Sequence, residues 1–291
     1  MSTEKAANSI HISLKAEEIF KIGSFGVTNS MFGFLLVFAI LILGGIYLKF
    51  TIKKTGLPTK PQLLIESFYC FLESLAGQTI GEHKARKYLG IITVIFLLII
   101  AGSWFGLLPG VLHLEVLGVE GKNVPLFRAP TTDLSATTAI AIIAFATIQY
   151  SGIHELGTGK YLSKFISFKS GGGFLLGLIE LLQEFVRVIS FSFRLFGNIF
   201  AGEVLLVVIG SLTKFNFSGG DGNIINYFGV PAPALIIVFE FFVALIQAYV
   251  FVFLMSVFVY MAAEPPHGDH PDQEKIELDI IKHEEKLEML R

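Results

Sequence analysis

Residues 174–210 read FLLGLIELLQEFVRVISFSFRLFGNIFAGEVLLVVIG. The segment is apolar enough for a membrane helix, yet it carries Glu180, Glu184, Arg187, Arg194 and Glu203. A second apolar stretch, Ala234–Ala263, carries one charge, Glu240. A charge at the centre of a spanning helix costs about 2.5–3.5 kcal/mol on insertion scales. Six such charges imply a use or an internal partner. In a helix at about 100° per residue, Glu180, Arg187 and Arg194 recur at a spacing of seven and share one stripe, which drifts about 20° per step. Asn198, four residues beyond Arg194, joins that stripe. Glu203 lies nine residues beyond Arg194, roughly 180° around the helix, so the two need different neighbours. At 1.5 Å per residue, Glu180 is placed about 21 Å to one side of Arg194 and Glu203 about 13.5 Å to the other. A straight helix over 174–210 is about 55 Å long, beyond the ~30 Å hydrocarbon core. Strong tilting, bending or breaking is therefore expected.

The last apolar segment offers a matching face. Glu240 and Gln247 are seven apart and share a stripe. Glu203 and Glu240 sit at similar depths below the ends joined by the glycine-rich loop 217–230, on antiparallel helices. They are expected to face each other and line a wet, proton-conducting cavity. A carboxylate suits proton exchange because burial or a second carboxylate tunes its affinity for the proton. An arginine stays charged in nearly any environment and suits a fixed electrostatic barrier.

The rest of the chain is consistent with a membrane setting. Of 291 residues, 53% are hydrophobic and 16% charged, against about 25% charged in an average soluble domain. There are 29 phenylalanines, and mean hydropathy is +0.68. Such a chain cannot cover its apolar surface as a water-soluble monomer. A net charge of −2 argues against nucleic acid as a partner, because phosphate binding needs clustered basic residues. The single cysteine, Cys70, excludes an internal disulfide framework and a multi-cysteine metal site. No cofactor is expected, and His267, Asp269 and His270 read as part of a solvated tail.

The predicted fold is an all-α integral membrane protein with about five membrane segments, near 27–48, 88–110, 134–153, 174–214 and 230–263. The last two form a long, strongly tilted hairpin. Residues 1–26 form an external segment, 27–263 a single membrane domain, and 264–291 an acidic cytoplasmic tail. Basic residues gather in the loops after the first and third spans, including Lys84, Arg86, Lys87, Lys160 and Lys164. Those loops therefore face the cytoplasm, with the N-terminus outside and the C-terminus inside. No signal peptide is expected. Leu64, Phe68, Phe71, Leu72 and Leu75 recur at helical spacing in the first cytoplasmic loop, which predicts an amphipathic helix at the interface. Asp133 precedes the third span as a helix cap.

The segment Phe193-Arg-Leu-Phe-Gly-Asn-Ile-Phe-Ala-Gly-Glu203 resembles the signature of subunit a of F-type ATP synthases. Ile179-Glu180 with Arg187 is similar to the upstream motif of that family. Gln247, within Leu245-Ile-Gln-Ala-Tyr249, matches its final-helix glutamine. Leu107-Leu-Pro-Gly110 and Pro130-Thr-Thr-Asp-Leu134 are similar to its outer loop motifs. The resemblance implies a non-catalytic stator facing a rotating ring of c subunits, joined to b-type peripheral stalk subunits and the rest of the complex in a bacterial inner membrane. It also implies two offset aqueous half-channels that pass protons to and from ring carboxylates. Arg194 would lie between them, Glu203 and Glu240 in the outer one and Glu180 in the cytoplasmic one, with Asn198 and Gln247 nearby. The chain departs from many relatives in having glutamate at both 203 and 240 where one is often histidine. It has Val188 where proline is frequent, and Glu184 matches no family position.

Two rival readings have less to stand on. A secondary transporter built around Arg194 predicts a sequence repeat and glycine-interrupted helices in both halves, and neither is evident. An intramembrane enzyme with a carboxylate pair needs a nucleophile and a pocket. No Gly-x-x-x-x-Gly-Lys-Ser/Thr or His-Glu-x-x-His motif is present, so ATP chemistry is expected to belong to partner subunits.

Overall fold

The computed structural model describes residues 16–23, 25–52, 58–108, 115–117, 123–165, 171–217 and 231–264. The helices are α1 (Asn29–Thr51), α2 (Lys60–Ile80), α3 (Glu82–Leu107), α4 (Leu134–Leu156), α5 (Thr158–Phe165), α6 (Gly171–Phe217) and α7 (Pro231–Ala263). Two short antiparallel hairpins accompany them, β1 (Glu18–Ile22) with β2 (Phe25–Thr28) and β3 (Glu115–Leu117) with β4 (Asn123–Pro125). Helices α1, α3, α4, α6 and α7 are each long and apolar enough to cross a bilayer. The protein is an all-α, multi-pass membrane protein. The glycine-rich loop, the acidic tail beyond Glu264, and Pro109-Gly110 of the first outer motif lie outside the described residues.

Helix ends follow local chemistry. Thr28 caps α1, accepting a hydrogen bond from the Met31 N–H at 3.4 Å, so α1 starts two residues after the expected boundary. α3 begins at Glu82, earlier than a hydropathy reading places it. Its charged first turns continue the helix beyond the apolar run, and Arg86 is held there by Glu73 of α2 at 2.6 Å. Pro61 sits in the first turn of α2, where its missing N–H costs nothing. α2 packs on α3 through Leu72, Leu75, Ala76 and Ile80, all buried, and the Phe68 and Phe96 rings lie 5.4 Å apart. Leu63 and Leu64 stay exposed on α2. In α1 most large apolar side chains are exposed, among them Leu35, Leu43 and Phe50, a surface that calls for lipid or a partner.

By packing, the chain divides into two units. One comprises Met1–Phe145 and Arg187–Val257. Its core is built on Leu89, Ile92 and Ile99 of α3, Ile140 of α4, Phe191 and Leu195 of α6, and Ala248, Phe251 and Val252 of α7, all essentially inaccessible. The Phe191 and Phe251 rings lie 4.6 Å apart. Ser192 of α6 hydrogen-bonds to Thr138 of α4 at 2.7 Å. In this unit residues 126–133 are wedged against α1 and α3. A Cβ at Gly33 would collide with the Arg128 carbonyl, one at Gly106 with Ala129, and one at Gly102 would press on Thr131 at 3.3 Å. Three hydrogen side chains thus seat this segment.

The other unit comprises Ala146–Val186 and Phe258–Arg291. Gly157, with φ of +78°, turns the chain from α4 into α5, where glycine has no Cβ penalty. Tyr161 is buried over Gly152. Its hydroxyl donates to Gln149, and Gln149 Nε2 donates to Glu184 at 2.8 Å.

Candidate functional site

The buried face of α6 carries Phe191, Ser192 and Leu195. That places Arg194 on the exposed side. Among the described residues no carboxylate pairs with it. One turn further, Asn198 Nδ2 donates to Gln247 Oε1 of α7 at 2.6 Å. Gln247 is buried, and its Nε2 has no hydrogen-bond partner. Asn198 therefore spans two roles. It shares the stripe of Arg194 as its spacing predicts, and it reaches round to tie α6 to α7.

Glu240 is 8% exposed. Its carboxylate lies against Gly202, where any Cβ would overlap it. With glycine at 202, the Glu240 carboxylate rests directly on the α6 backbone. Glu240 Oε1 is buried without a hydrogen bond among the described residues. Beside it is a cavity of about 290 Å³, lined by Ser103, Leu107, Asn198, Gly202, Glu240 and Val243 among others. The two glutamates interact electrostatically, but among the described residues Glu203 does not line that cavity.

Glu203 instead faces Arg128, with Oε2 at 3.7 Å from Nη2. Arg128 is 6% exposed, and its Nε donates to Thr132 Oγ1 at 3.1 Å. Spacing within the helix gave no sign of this partner, because a lone arginine in a polar loop carries no periodicity. Asp133 caps α4 as expected, its Oδ1 accepting from the Ser135 N–H at 3.0 Å. It also accepts from the Ser30 hydroxyl of α1. Burial pushes the Asp133 carboxyl up, but hydrogen bonds from Ser135 and Ser30 and the nearby Arg128 charge outweigh this and hold it below its ordinary value. A folded-state value below the unfolded one, about 3.9, contributes stability above that pH which is lost as pH falls through the folded value. Asp133→Ala should therefore lower the apparent Tm of the detergent-solubilised protein at pH 7 by about 2–4 °C, the effect of losing ~1 kcal/mol of cap. The gap from wild type should close as pH is lowered below about 4. Thermal unfolding followed by circular dichroism across pH checks this, and a difference independent of pH contradicts it.

Glu180 belongs to the second unit, where it is half-buried. It lies near Lys164, whose Nζ donates to the Met261 carbonyl at 3.3 Å. Burial lowers the Lys164 pKa, opposed by Glu180, Glu264 and Glu184. Glu184, which matched no family position, is the acceptor of the Gln149 hydrogen bond described above. The site residues read from sequence thus fall into one group in the first unit (Arg194, Asn198, Glu203, Glu240 and Gln247) and Glu180 in the second.

The family model for the ATP synthase A chain matches residues 31–260, which takes in α6, α7 and the whole constellation. The chain belongs to this family. It is 28% identical over 231 residues to the ATP synthase subunit a of Sulfurihydrogenibium sp., covering 79% of this chain and 95% of that one. It is 31% identical to the ATP synthase subunit a of Gloeobacter violaceus over 79% of this chain and 82% of the relative. To that of Helicobacter pylori it is 29% identical over 84% and 94%. Family membership and five apolar helices together make the chain a membrane protein of ion-coupled ATP synthesis.

Proposed function

We propose that the chain is the proton-conducting stator subunit of an F-type ATP synthase, working against a rotating ring of small hairpin subunits. The observation that carries this reading is the exposed Arg194, unpaired among the described residues, beside the Asn198–Gln247 bridge. A buried structural arginine would be paired with a carboxylate. One left open on a helix face suits a transient partner brought by another molecule. In this reading that partner is the carboxylate of each passing ring subunit. The guanidinium favours its ionised form, so the proton leaves towards one half-channel, and the next carboxylate is recharged from the other. Its fixed charge also repels a proton crossing directly between the half-channels.

Glu240 and Glu203 serve the outer half-channel, and the cavity beside Glu240 gives room for water within reach of a carboxylate. Glu180 serves the cytoplasmic half-channel. Gln247 and Asn198 hold α6 and α7 in register beneath Arg194. α6 has 47 residues, about 70 Å if straight, more than twice the ~30 Å hydrocarbon core. Such a helix suits a steep tilt along the ring. The remaining partners are b-type peripheral stalk subunits and the rest of the complex, in a bacterial inner membrane, with the N-terminus outside and the C-terminus in the cytoplasm. The chain itself performs no bond-making chemistry.

Purification in mild detergent tests the assignment. The chain should co-purify with an oligomeric ring of a very small hairpin protein and with ATPase subunits. Recovery as a transport-competent protein free of any ring would favour the secondary transporter instead.

A further inference from the structure

The two outer carboxylates do not have equivalent surroundings. Glu203 faces the guanidinium of Arg128 at 3.7 Å. Glu240 has its Oε1 buried without a hydrogen bond, and among the described residues no cation pairs with it. Arg128 is not a mobile surface residue that happens to lie near. It is 6% exposed, and its Nε is bound to Thr132. Its carbonyl sits against Gly33 so tightly that no side chain fits there. Asp133, five residues along, ties the same segment to Ser30 of α1. The backbone carrying the guanidinium is thus fixed by α1 and α3, while the carboxylate it meets is on α6. A buried cation held this firmly favours a nearby anion, and Glu203 of α6 lies within ion-pair distance of it.

We infer that Arg128 is a positioning residue that divides the work between the outer glutamates, holding Glu203 as a paired carboxylate and leaving Glu240 as the group that carries the proton. This deepens the half-channel reading above and rests on it. Glu240 takes a proton from water in the adjoining cavity onto a carboxylate oxygen and passes it inward, returning to the carboxylate. Glu203 accepts no net proton in the cycle. Its negative charge, neutralised by Arg128, no longer adds in full to that of Glu240, so neither carboxylate is trapped by the other.

The test uses the whole complex in inverted membrane vesicles. Assembly is read on native gels and ATP-driven proton pumping by a fluorescent pH-gradient dye. Glu240→Gln should pump slowly whether or not Arg128 is present. Glu203→Gln should also slow pumping, because it removes the carboxylate paired with the buried Arg128 guanidinium. Adding Arg128→Gln to Glu203→Gln should restore pumping several-fold, since both charges of the pair are then gone. A merely structural Arg128 does not produce this selectivity, because losing it would then worsen both glutamate variants alike. Failure of Arg128→Gln to rescue Glu203→Gln in assembled complexes, or rescue of Glu240→Gln as well, overturns the division of labour. Wild-type pumping by Glu240→Gln itself would overturn the outer half-channel reading, which is a different result. Should the Arg128→Gln single variant fail to assemble, the doubly neutral variant still decides, because both charges are absent from it.

Discussion

Replacing Arg194 with alanine should abolish ATP-driven proton pumping and ATP synthesis while leaving the complex assembled. Arg194 is exposed and unpaired among the described residues, so its loss removes no packing and breaks no ion pair within the chain. A stability defect is therefore not expected, and the whole effect falls on transport. In the proposed mechanism the ring carboxylates would lose the charge that favours their ionised form, so protons would stay bound where they must leave. Lysine should fail as well. Its compact ammonium loses its proton more readily when desolvated, and it lacks the planar fork that lets arginine hold a partner while staying partly hydrated. Pumping in inverted vesicles, with assembly read on native gels, checks both variants. Near wild-type rates in assembled Arg194→Lys would show that a plain positive charge suffices.

Gly202 should be nearly as sensitive. A Cβ built there overlaps the Glu240 carboxylate. Because the obstructed atoms are the far end of a flexible side chain, Gly202→Ala is expected to displace Glu240 rather than force the helices apart. It should slow pumping while leaving the amount of complex unchanged. Gly202→Leu adds a branched side chain where α6 meets the cavity beside Glu240, and overpacking of this kind costs about 1–3 kcal/mol. It should abolish pumping and lower the yield of complex. The graded pair separates displacement of a carboxylate from loss of packing. Equal pumping by Gly202→Ala and wild type would mean that the position of Glu240 does not matter.

Much of this was legible in the sequence because a bilayer imposes long, uniform windows. Three runs near twenty apolar residues and two longer ones predicted five membrane helices, and all five are present. Periodicity within those windows set Arg194 and Glu203 on opposite sides of α6 and put Glu240 and Gln247 on one stripe. Helix ends were less legible, since charged turns such as 82–87 of α3 continue a helix without adding hydropathy. The hairpins at Glu18–Thr28 and Glu115–Pro125 and the short helix α5 are too brief for such windows to register. Tertiary partners were the least legible. Arg128 meets Glu203 across 75 residues of sequence, and the glycines at 33, 102 and 106 that seat its segment resemble any other glycines in apolar helices. Glu184 had no motif, and its partner Gln149 comes from another helix, as does the Tyr161 that donates to Gln149.

If Arg194 separates two water-filled half-paths, as proposed, passive proton conductance reports on it without any contribution from ATP turnover. Vesicles stripped of the catalytic sector would be given a potassium diffusion potential, and proton entry would be followed with a pH-sensitive dye. Arg194→Ala vesicles should still conduct protons, through a leak no longer tied to rotation, and adding Glu240→Gln to the same chain should suppress it. Arg194→Ala membranes as proton-tight as membranes lacking the complex, or a leak indifferent to Glu240, would contradict that separation.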